Sequence, residues 1–303
     1  MKILITGGTG YLAWQLVNEF EKENVQIAIL SAHPDSAFAE YTGKKIDIIG
    51  NEEVLSGTRR IDDIDVVIHT AFCRKSDGEL LYDSLHFLED FSAICIRDGV
   101  KGFINISSQS VYGSKEGPLP DEMAKPNPGY LYAFAKLASE LLLEQIVHGS
   151  NTDMKFTNIR LASLIGPGKF VPDNILSKFI HSALKDEPFR VIGGKQKFSF
   201  LDVRDAARAI ALFVETDLNI WDKKYNLGPE KQIGIIDIAE EVCSSVKALY
   251  GIESSYLFTS DDSILLNTGM NSQKIYEFLN WFPEYSFQKI VIDTVNELKT
   301  RTI

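Results

Sequence analysis

Short runs of β-branched and other apolar residues alternate with longer segments of helical periodicity through the first half of the chain. The strand-like runs are 2–6, 25–30, 45–50, 65–71, 102–107 and 155–161. The helical segments lie near 10–22, 76–98 and 130–148. This alternation is typical of βαβ units, whose parallel strands are covered by helices on both faces. The pattern therefore predicts an α/β fold with a doubly wound parallel sheet.

The pattern loosens after about Gly166, where a glycine- and proline-rich loop begins. Beyond it the pattern predicts helices near 174–186, 204–215, 235–250 and 286–300, and strands at 189–192 and 197–202. We interpret residues 1–165 as a first domain, to which a segment near 197–227 returns. Residues 166–303 then form a smaller, interwoven second lobe.

Composition and charge narrow the class of protein. The chain has 303 residues, of which 45% are hydrophobic, enough for a sizeable buried core. Its formal net charge of −11 disfavours partners that bind through their own negative charge, such as nucleic acid or an anionic membrane surface. No apolar run approaches the roughly 18–20 residues that span a bilayer.

The first residues of the chain and its cysteines favour a cytoplasmic protein. The first residues enter a strand-like run without the pattern of a secretory leader. The three cysteines, Cys73, Cys95 and Cys243, are widely spaced and form no CxxC pair. Reduced thiols in a cytoplasmic protein without a metal site are the expectation.

A glycine-rich turn, "TGGTGYLA", follows the first strand and opens the first helix. Gly7 and Gly10 allow a tight turn and a close approach of the backbone to a pyrophosphate, and Ala13 keeps the next position small. The free N–H groups at the helix start also favour an anion. The spacing and its place after the first strand predict a dinucleotide cofactor, NAD or NADP.

The ends of the next strands give less information about that cofactor. Ser31 occupies the position where an acidic residue would bind the ribose of NAD, and His33 is the nearby cation, so the choice between NAD and NADP stays open. Asp47 and Ile48 are expected after the third strand, near the adenine ring, although an exposed aspartate at a strand end needs no such role.

The segment "PGYLYAFAK" places Tyr132 four residues before Lys136, so both side chains share one face of the predicted helix. A phenol is a poor base at neutral pH unless a cation stabilises its anion. The strand end "INISSQSVYG" supplies serines near the expected ligand edge of the sheet. A surface contact is the alternative explanation of the pair, and Tyr130 is expected to pack at the helix entry.

Along nearly its whole length the chain resembles the extended short-chain dehydrogenase/reductase family. The segments that carry the resemblance follow the family's order: "TGGTGYLA", "DVVIHTA", "GVKGFINISSQSVYG", "YAFAK", "IRLASLIGPG", "FSFLDVRDAARA", "YNLG" and "NWFPEYS". The resemblance is strongest to its nucleotide-sugar epimerase/dehydratase branch. It implies a Rossmann fold, with Tyr132 as catalytic acid/base, Lys136 lowering the pKa of that tyrosine and binding the nicotinamide ribose, and Ser108 bonding the substrate oxygen. Ser107 and Ser110 are the other serines of the motif.

The pattern and the resemblance together give a set of site residues. The expected cofactor contacts are Gly7, Thr9, Gly10, Tyr11, Leu12, Ser31, Asp47, Ile48, Ala71, Phe72, Tyr132 and Lys136. The expected substrate contacts are Ser108, Ser163, Lys169 and Lys197.

The chain also departs from the family pattern at several positions. Gln109 and Ser110 stand where dehydratases carry an Asp-Glu pair, so a 4,6-dehydratase is not expected. Ser84 and Ser163 replace family asparagines, and Phe72 replaces the second alanine of the cofactor loop.

The most serious departure is Phe198, which replaces the arginine that grips the diphosphate. The candidate substitutes for its charge are Lys169, Arg190, Lys195 and Lys197.

The leading hypothesis is an NAD(P)-dependent epimerase that acts on a nucleotide sugar through a keto intermediate. A carbonyl reductase for a small or atypical substrate is the second hypothesis, favoured by Phe198 and Ser31. A noncatalytic dinucleotide-binding sensor is the third, and retention of Ser108, Tyr132 and Lys136 argues against it. Apolar runs in the helices near 80–98 and 130–148, together with the family's habit of pairing them, predict a homodimer.

Overall fold

The fold is that of a computed structural model, which describes residues 1–23, 25–114, 117–169, 171–261, 263 and 266–301. Its strands are β1 (Lys2–Thr6), β2 (Gln26–Ser31), β3 (Ile46–Gly50), β4 (Val66–His69), β5 (Gly102–Ser108), β6 (Lys155–Leu161), β7 (Ser163–Ile165), β8 (Phe189–Gly193), β9 (Lys197–Phe198), β10 (Phe200–Asp202), β11 (Lys224–Leu227), β12 (Ile233–Gly234) and β13 (Tyr256–Ser260). Its α-helices are α1 (Tyr11–Phe20), α2 (Pro34–Glu40), α3 (Asn51–Leu55), α4 (Gly78–Asp98), α5 (Leu131–Gly149), α6 (Ile175–Leu184), α7 (Val203–Val214), α8 (Ile235–Tyr250), α9 (Gln273–Leu279) and α10 (Phe287–Arg301).

Seven strands form one sheet in the order β11-β6-β5-β4-β1-β2-β3. The pairs β1–β2, β1–β4, β2–β3 and β4–β5 are parallel. The chain crosses from β3, at one edge, back past β1 to β4, so the direction of winding reverses between β1 and β4. The expected doubly wound Rossmann sheet is confirmed, and ligands of such sheets bind where the strand order reverses.

The described residues fall into two compact units. The first comprises 1–113, 125–160 and 207–225, and the second comprises 114–124, 161–206 and 226–303. The hydrophobic core of the first unit lies where α3, α4 and α5 meet the sheet, around Leu88, Phe91, Phe103 and Leu143. That of the second lies among α6, α8 and α10, around Phe179, Phe189, Val242 and Val291.

Three two-stranded ladders belong to the second unit: β10 pairs with β7, β12 with β9 and β13 with β8. The single strand predicted over 197–202 is two strands that break at Ser199. Its N–H donates to Thr268 Oγ1 at 3.1 Å and its hydroxyl donates to the Pro229 carbonyl at 3.0 Å. A side chain thus takes the backbone hydrogen bond that a strand partner would otherwise make.

None of the helices among the described residues is long and apolar enough to cross a bilayer. The three cysteines are free thiols.

Candidate active site

The glycine-rich turn lies between β1 and α1. Gly7 has φ +65°, a conformation that L side chains rarely adopt, and a Cβ there would lie 2.9 Å from Ala71 Cα. Gly10 begins α1 without a side-chain cap, and the first turn holds no acidic residue. The Gly8 and Gly10 N–H groups bond carbonyls of the protein, whereas the N–H groups at the start of α1 have no side-chain cap and therefore suit an anion. Thr9 is half-buried beside it, and Tyr11 and Leu12 are buried in the first helical turn.

The loop after β4 is fastened to this turn by one hydroxyl. Thr6 Oγ1 accepts the N–H groups of Thr70 and Ala71, each at 3.1 Å. Farther along, Ser84 Oγ accepts the Cys73 N–H at 3.0 Å and donates to the Leu80 carbonyl at 2.8 Å. Ala71 and Phe72 are thereby held at the carboxyl ends of β1 and β4, which are neighbours in the sheet.

The same edge of the sheet carries the tyrosine, the lysine and the serine. Tyr132 lies in the first turn of α5, where its hydroxyl hydrogen-bonds Ser108 at the end of β5. Lys136 follows by one helical turn and donates from Nζ to the Ile106 carbonyl at 2.7 Å. The three groups expected to act together therefore share one site in the first unit.

Two aromatic rings enclose Tyr132. Phe72 meets it edge-on at 6.3 Å between ring centroids, and Tyr130 stacks on it at 6.2 Å. Lys136 Nζ lies 3.8 Å from the Phe72 centroid, within range of a cation–π contact. The ring that replaces the family alanine thus contacts both Tyr132 and Lys136. Tyr130 precedes α5 and is 51% exposed.

Burial shifts the acid–base behaviour of both groups. It raises the pKa of Tyr132 to about 12, because the low-dielectric surroundings disfavour the phenolate, while Arg74 and the bond to Ser108 act in the opposite direction. It lowers the pKa of Lys136 to about 7, opposed by the charge of Glu140. The resemblance implied a lowered tyrosine pKa; in the protein by itself the effect of burial on the phenolate is larger than the opposing effects of Arg74 and Ser108, so the pKa is raised.

The geometry distinguishes the serines of the motif. Ser107 donates to Glu140 Oε1 at 2.5 Å in the buried layer, whereas Ser108 bonds Tyr132 and also accepts the Ser110 N–H at 3.2 Å. The Ser110 hydroxyl is buried and has no hydrogen-bond partner among the described residues. Of the three, Ser108 is the one placed with the tyrosine.

The expectation for Asp47 and Ile48 was wrong in position. Both lie inside β3 rather than after it, and the carboxylate of Asp47 bonds Lys2 Nζ at 3.0 Å and Arg59 at 2.6 Å. Lys2 begins β1, so these ion pairs lie at the amino edge of the parallel sheet, opposite the glycine-rich turn. The strand continues to Gly50, and its carboxyl end therefore presents other residues.

Ser31 ends β2 and is 3% exposed, and its hydroxyl accepts the His33 N–H at 3.0 Å. The side chain therefore caps the turn after β2. Neither Ser31 nor His33 places an acidic group at this end of the strand.

The expected substrate contacts other than Ser108 lie in the second unit. Ser163 is exposed at the start of β7, Lys169 is exposed in the loop after it, and Lys197 is exposed in β9. Phe198 stacks on Phe200 at 5.7 Å between centroids, with an interplanar angle of 6°. The position of the family arginine has thus become part of an aromatic cluster.

Sequence reasoning missed Arg74 and the buried pair of Glu140 and Arg160. Arg74 is exposed in the loop after Phe72 and acts electrostatically on Tyr132. A signal for the pair was available, since Arg160 is a charged residue within the otherwise strand-like "KFTNIRL", and buried arginines need a partner. Among the described residues, no three His, Cys, Asp or Glu side chains come together as a metal site.

Residues 3–228 match the model of the NAD dependent epimerase/dehydratase family. A trifunctional UDP-glucose 4,6-dehydratase/UDP-4-keto-6-deoxy-D-glucose 3,5-epimerase/UDP-4-keto-L-rhamnose-reductase of Arabidopsis thaliana is 22% identical over 80% of the chain, which spans 39% of that relative's length. A UDP-glucuronate 4-epimerase of Thermodesulfobacterium geofontis is 27% identical over 70% of the chain and 61% of its own length.

The fold resembles that of the UDP-glucuronic acid 4-epimerase of Bacillus cereus, solved with UDP-glucuronic acid and NAD. The TM-score is 0.83 at 24% identity, covering 99% of this chain and 100% of that one.

Proposed function

Because the chain belongs to the NAD-dependent epimerase/dehydratase family, we propose that it inverts a hydroxyl-bearing carbon of a nucleotide sugar with NAD as cofactor. The observation that carries the proposal is the meeting of Ser108, Tyr132 and Lys136 at the sheet edge beside the glycine-rich turn. The relatives that act on UDP-sugars support this class of substrate.

The turn and its surroundings fit the cofactor. Gly7 and Gly10 leave no side chain where a pyrophosphate approaches, and the uncapped start of α1 offers N–H groups to it. Ala71 and Phe72 line the adjoining loop, and Lys136 supplies a cation for the nicotinamide ribose. NAD held there would supply a reversible hydride acceptor for the sugar carbon, and the reaction would have no net redox change.

The chain's own residues move the proton. Tyr132 removes the proton of the sugar hydroxyl as that carbon becomes a ketone, and it returns the proton when the ketone is reduced from the other face. Ser108 hydrogen-bonds the same oxygen. Because burial raises the pKa of Tyr132 to about 12, the tyrosine needs a neighbouring positive charge to act as a base near neutral pH.

Replacing Tyr132 tests the proposal. UDP-glucuronic acid and UDP-glucose are incubated with the protein and NAD, and the products are separated from their epimers by chromatography and identified by NMR. Tyr132→Phe should lower turnover at least about a hundredfold and leave the NAD dissociation constant within about twofold, because only the proton relay is removed. Comparable turnover in the variant would remove Tyr132 from this role.

Tyr130→Phe is the matched control. It makes the same chemical change in the ring that stacks on Tyr132, and it should keep the parent turnover because its hydroxyl has no part in the relay.

The second candidate is an NAD(P)H-dependent carbonyl reductase, and Phe198 favours it. Its ring stacks on Phe200 where the family places a diphosphate-binding arginine. Steady consumption of NADPH with a small ketone, together with no binding of UDP-, dTDP- or GDP-sugars in native mass spectrometry, would decide for the reductase. Epimerisation without net NADH production decides for the epimerase.

The proposal includes a homodimer in the cytoplasm. Leu131, Phe134 and Leu141 are 48%, 54% and 59% exposed, and their spacing places them along one stripe of α5. The neighbouring α4 exposes Leu80 and Tyr82. Apolar side chains grouped in this way favour association with a second copy, and the free thiols suit a reducing compartment.

A further inference from the structure

A buried ion pair links α5 to the strand beside β5. Arg160 in β6 donates from Nε to Glu140 Oε1 at 2.9 Å and from its terminal nitrogen to Glu140 Oε2 at 2.6 Å. Arg160 is 1% exposed and Glu140 5%. Two charges removed from water carry a desolvation cost that only close, bidentate geometry offsets, so the Glu140 carboxylate is held in one place.

The same carboxylate reaches the segment that carries the proposed catalytic serine. Ser107 Oγ donates to Glu140 Oε1 at 2.5 Å, and Tyr112, at the end of that segment, accepts from Arg160 at 2.8 Å. Ser107 stands between Ile106, whose carbonyl accepts the Lys136 ammonium, and Ser108, which bonds Tyr132. The ion pair therefore contacts Ser107, which lies directly between the two residues that bond Lys136 and Tyr132.

Glu140 also lies one helical turn beyond Lys136, and its negative charge opposes the effect of burial on that lysine. Within the part of the chain that the structure describes, the other titratable groups that face Lys136 carry no negative charge at neutral pH. His69 in β4 is buried and neutral, since burial and the lysine lower its pKa to about 3, and the pKa of Tyr132 on α5 is raised. The loop after β4 contributes the uncharged ring of Phe72.

We propose that Glu140 is a positioning residue of the site, whose carboxylate, held by Ser107 and Arg160 one helical turn from Lys136, favours the protonated form of that lysine. This inference rests on the proposed function, because it gives Lys136 the task of binding the cofactor. A neutral lysine amine donates more weakly to the ribose hydroxyls and cannot supply the positive charge that stabilises the tyrosine phenolate.

The variant that tests this removes both buried charges together. Glu140→Gln with Arg160→Met keeps the side-chain volumes close to those of the parent and leaves no uncompensated charge. Glu140→Gln alone is the second variant, which removes the charge at one position only. Its amide oxygen still accepts from Ser107 and Arg160 Nε, whereas its NH2 group can only donate, so the negative charge and one Arg160 hydrogen bond are lost. Glu144→Gln is the control, since Glu144 lies on the same helix but bonds the exposed Lys223 instead.

The measurement is the NAD dissociation constant between about pH 5 and 9, by isothermal titration calorimetry. In the parent, affinity should fall as pH rises through the titration of Lys136, because the protonated amine is the form that binds. Without Glu140 the midpoint should move about one pH unit lower, so NAD binds up to about tenfold more weakly between the two midpoints. Glu144→Gln should reproduce the parent curve.

Lys136→Met should abolish the pH dependence, which identifies the titrating group. A midpoint in both Glu140 variants equal to that of the parent would overturn the inference. Failure of the proposed function looks different, because the parent would then show this NAD binding curve and yet give no epimerised product from UDP-glucuronic acid or UDP-glucose.

Discussion

At the residue scale, the hydrogen bonds of Thr6 determine which tautomer the buried His69 adopts. Thr6 Oγ1 accepts two backbone N–H groups, so its own hydrogen goes to His69 Nδ1, 2.9 Å away. His69 is therefore neutral with its proton on Nε2, an atom without a hydrogen-bond partner among the described residues. The histidine is 1% exposed, and burial lowers its pKa to about 3.

This histidine should make the protein sensitive to acid. The unfolded chain takes up a proton at His69 near pH 6.5, whereas the folded chain does so only near pH 3. Stability from this group is thus fully present above about pH 6.5 and is lost as pH falls towards 3, by about 1.4 kcal/mol per unit. His69→Gln should flatten the dependence of the unfolding free energy between pH 7 and 5, measured by urea denaturation.

The control is His86→Gln, which removes an exposed histidine paired with Asp90. It should keep the parent's slope. An equal slope in His69→Gln and the parent would show that another group controls the acid response.

Single residues also show where sequence reasoning reached its limit. Tyr132 and Lys136 could be paired in advance because the helical repeat alone brings them together, and Ser108 followed from its place in a motif. Asp47 was placed wrongly, because the pattern itself predicts a strand over 45–50 and β3 runs three residues beyond Asp47. The roles of Tyr132, Lys136 and Ser108 in the reaction remain predictions.

At the scale of single elements, the turn between β1 and α1 depends on its first glycine. Gly7 has φ +65°, and a methyl group there would press on Ala71, which Thr6 holds in place. Gly7→Ala should destabilise the fold by about 1–2 kcal/mol through the backbone conformation, and it should also weaken NAD binding at least about tenfold by displacing the loop. Urea denaturation and calorimetric titration with NAD measure the two effects.

Gly57→Ala separates these effects. Gly57 has φ +77°, and a Cβ there meets nothing within 4 Å. This control should show a similar loss of stability and the parent's affinity for NAD. If Gly7→Ala binds NAD as the control does, the turn is not the pyrophosphate site.

The sequence pattern predicted α1, α4 and α5. It did not predict α3, of five residues, or α2, of seven. Two turns or fewer are too short to display the apolar repeat, and their stability comes from packing on the sheet. The three-residue strand β7 and the two-residue β12 escaped prediction for the same reason. Long helices can be predicted from sequence because every turn repeats the apolar pattern.

At the scale of the whole molecule, the exposed stripe on α5 predicts association. Leu141→Glu places a charge at the most exposed apolar position of this stripe and should convert the predicted dimer to a monomer in analytical ultracentrifugation. Phe38→Glu is the control, since Phe38 is 69% exposed on α2, away from this stripe in the fold. A monomeric parent, or a dimer that survives Leu141→Glu, would contradict the prediction.

The sequence by itself determined the order of the long elements, the doubly wound sheet, the glycine-rich turn and the shared face of Tyr132 and Lys136. Each of these follows from spacing along a continuous segment of chain. Only the tertiary structure decided that Phe72 covers the Lys136 ammonium, that Glu140 and Arg160 form a buried pair beside Ser107, and that Asp47 lies at the amino edge. Those contacts join separate elements, so they depend on strand order and on burial, and spacing along the chain does not specify them.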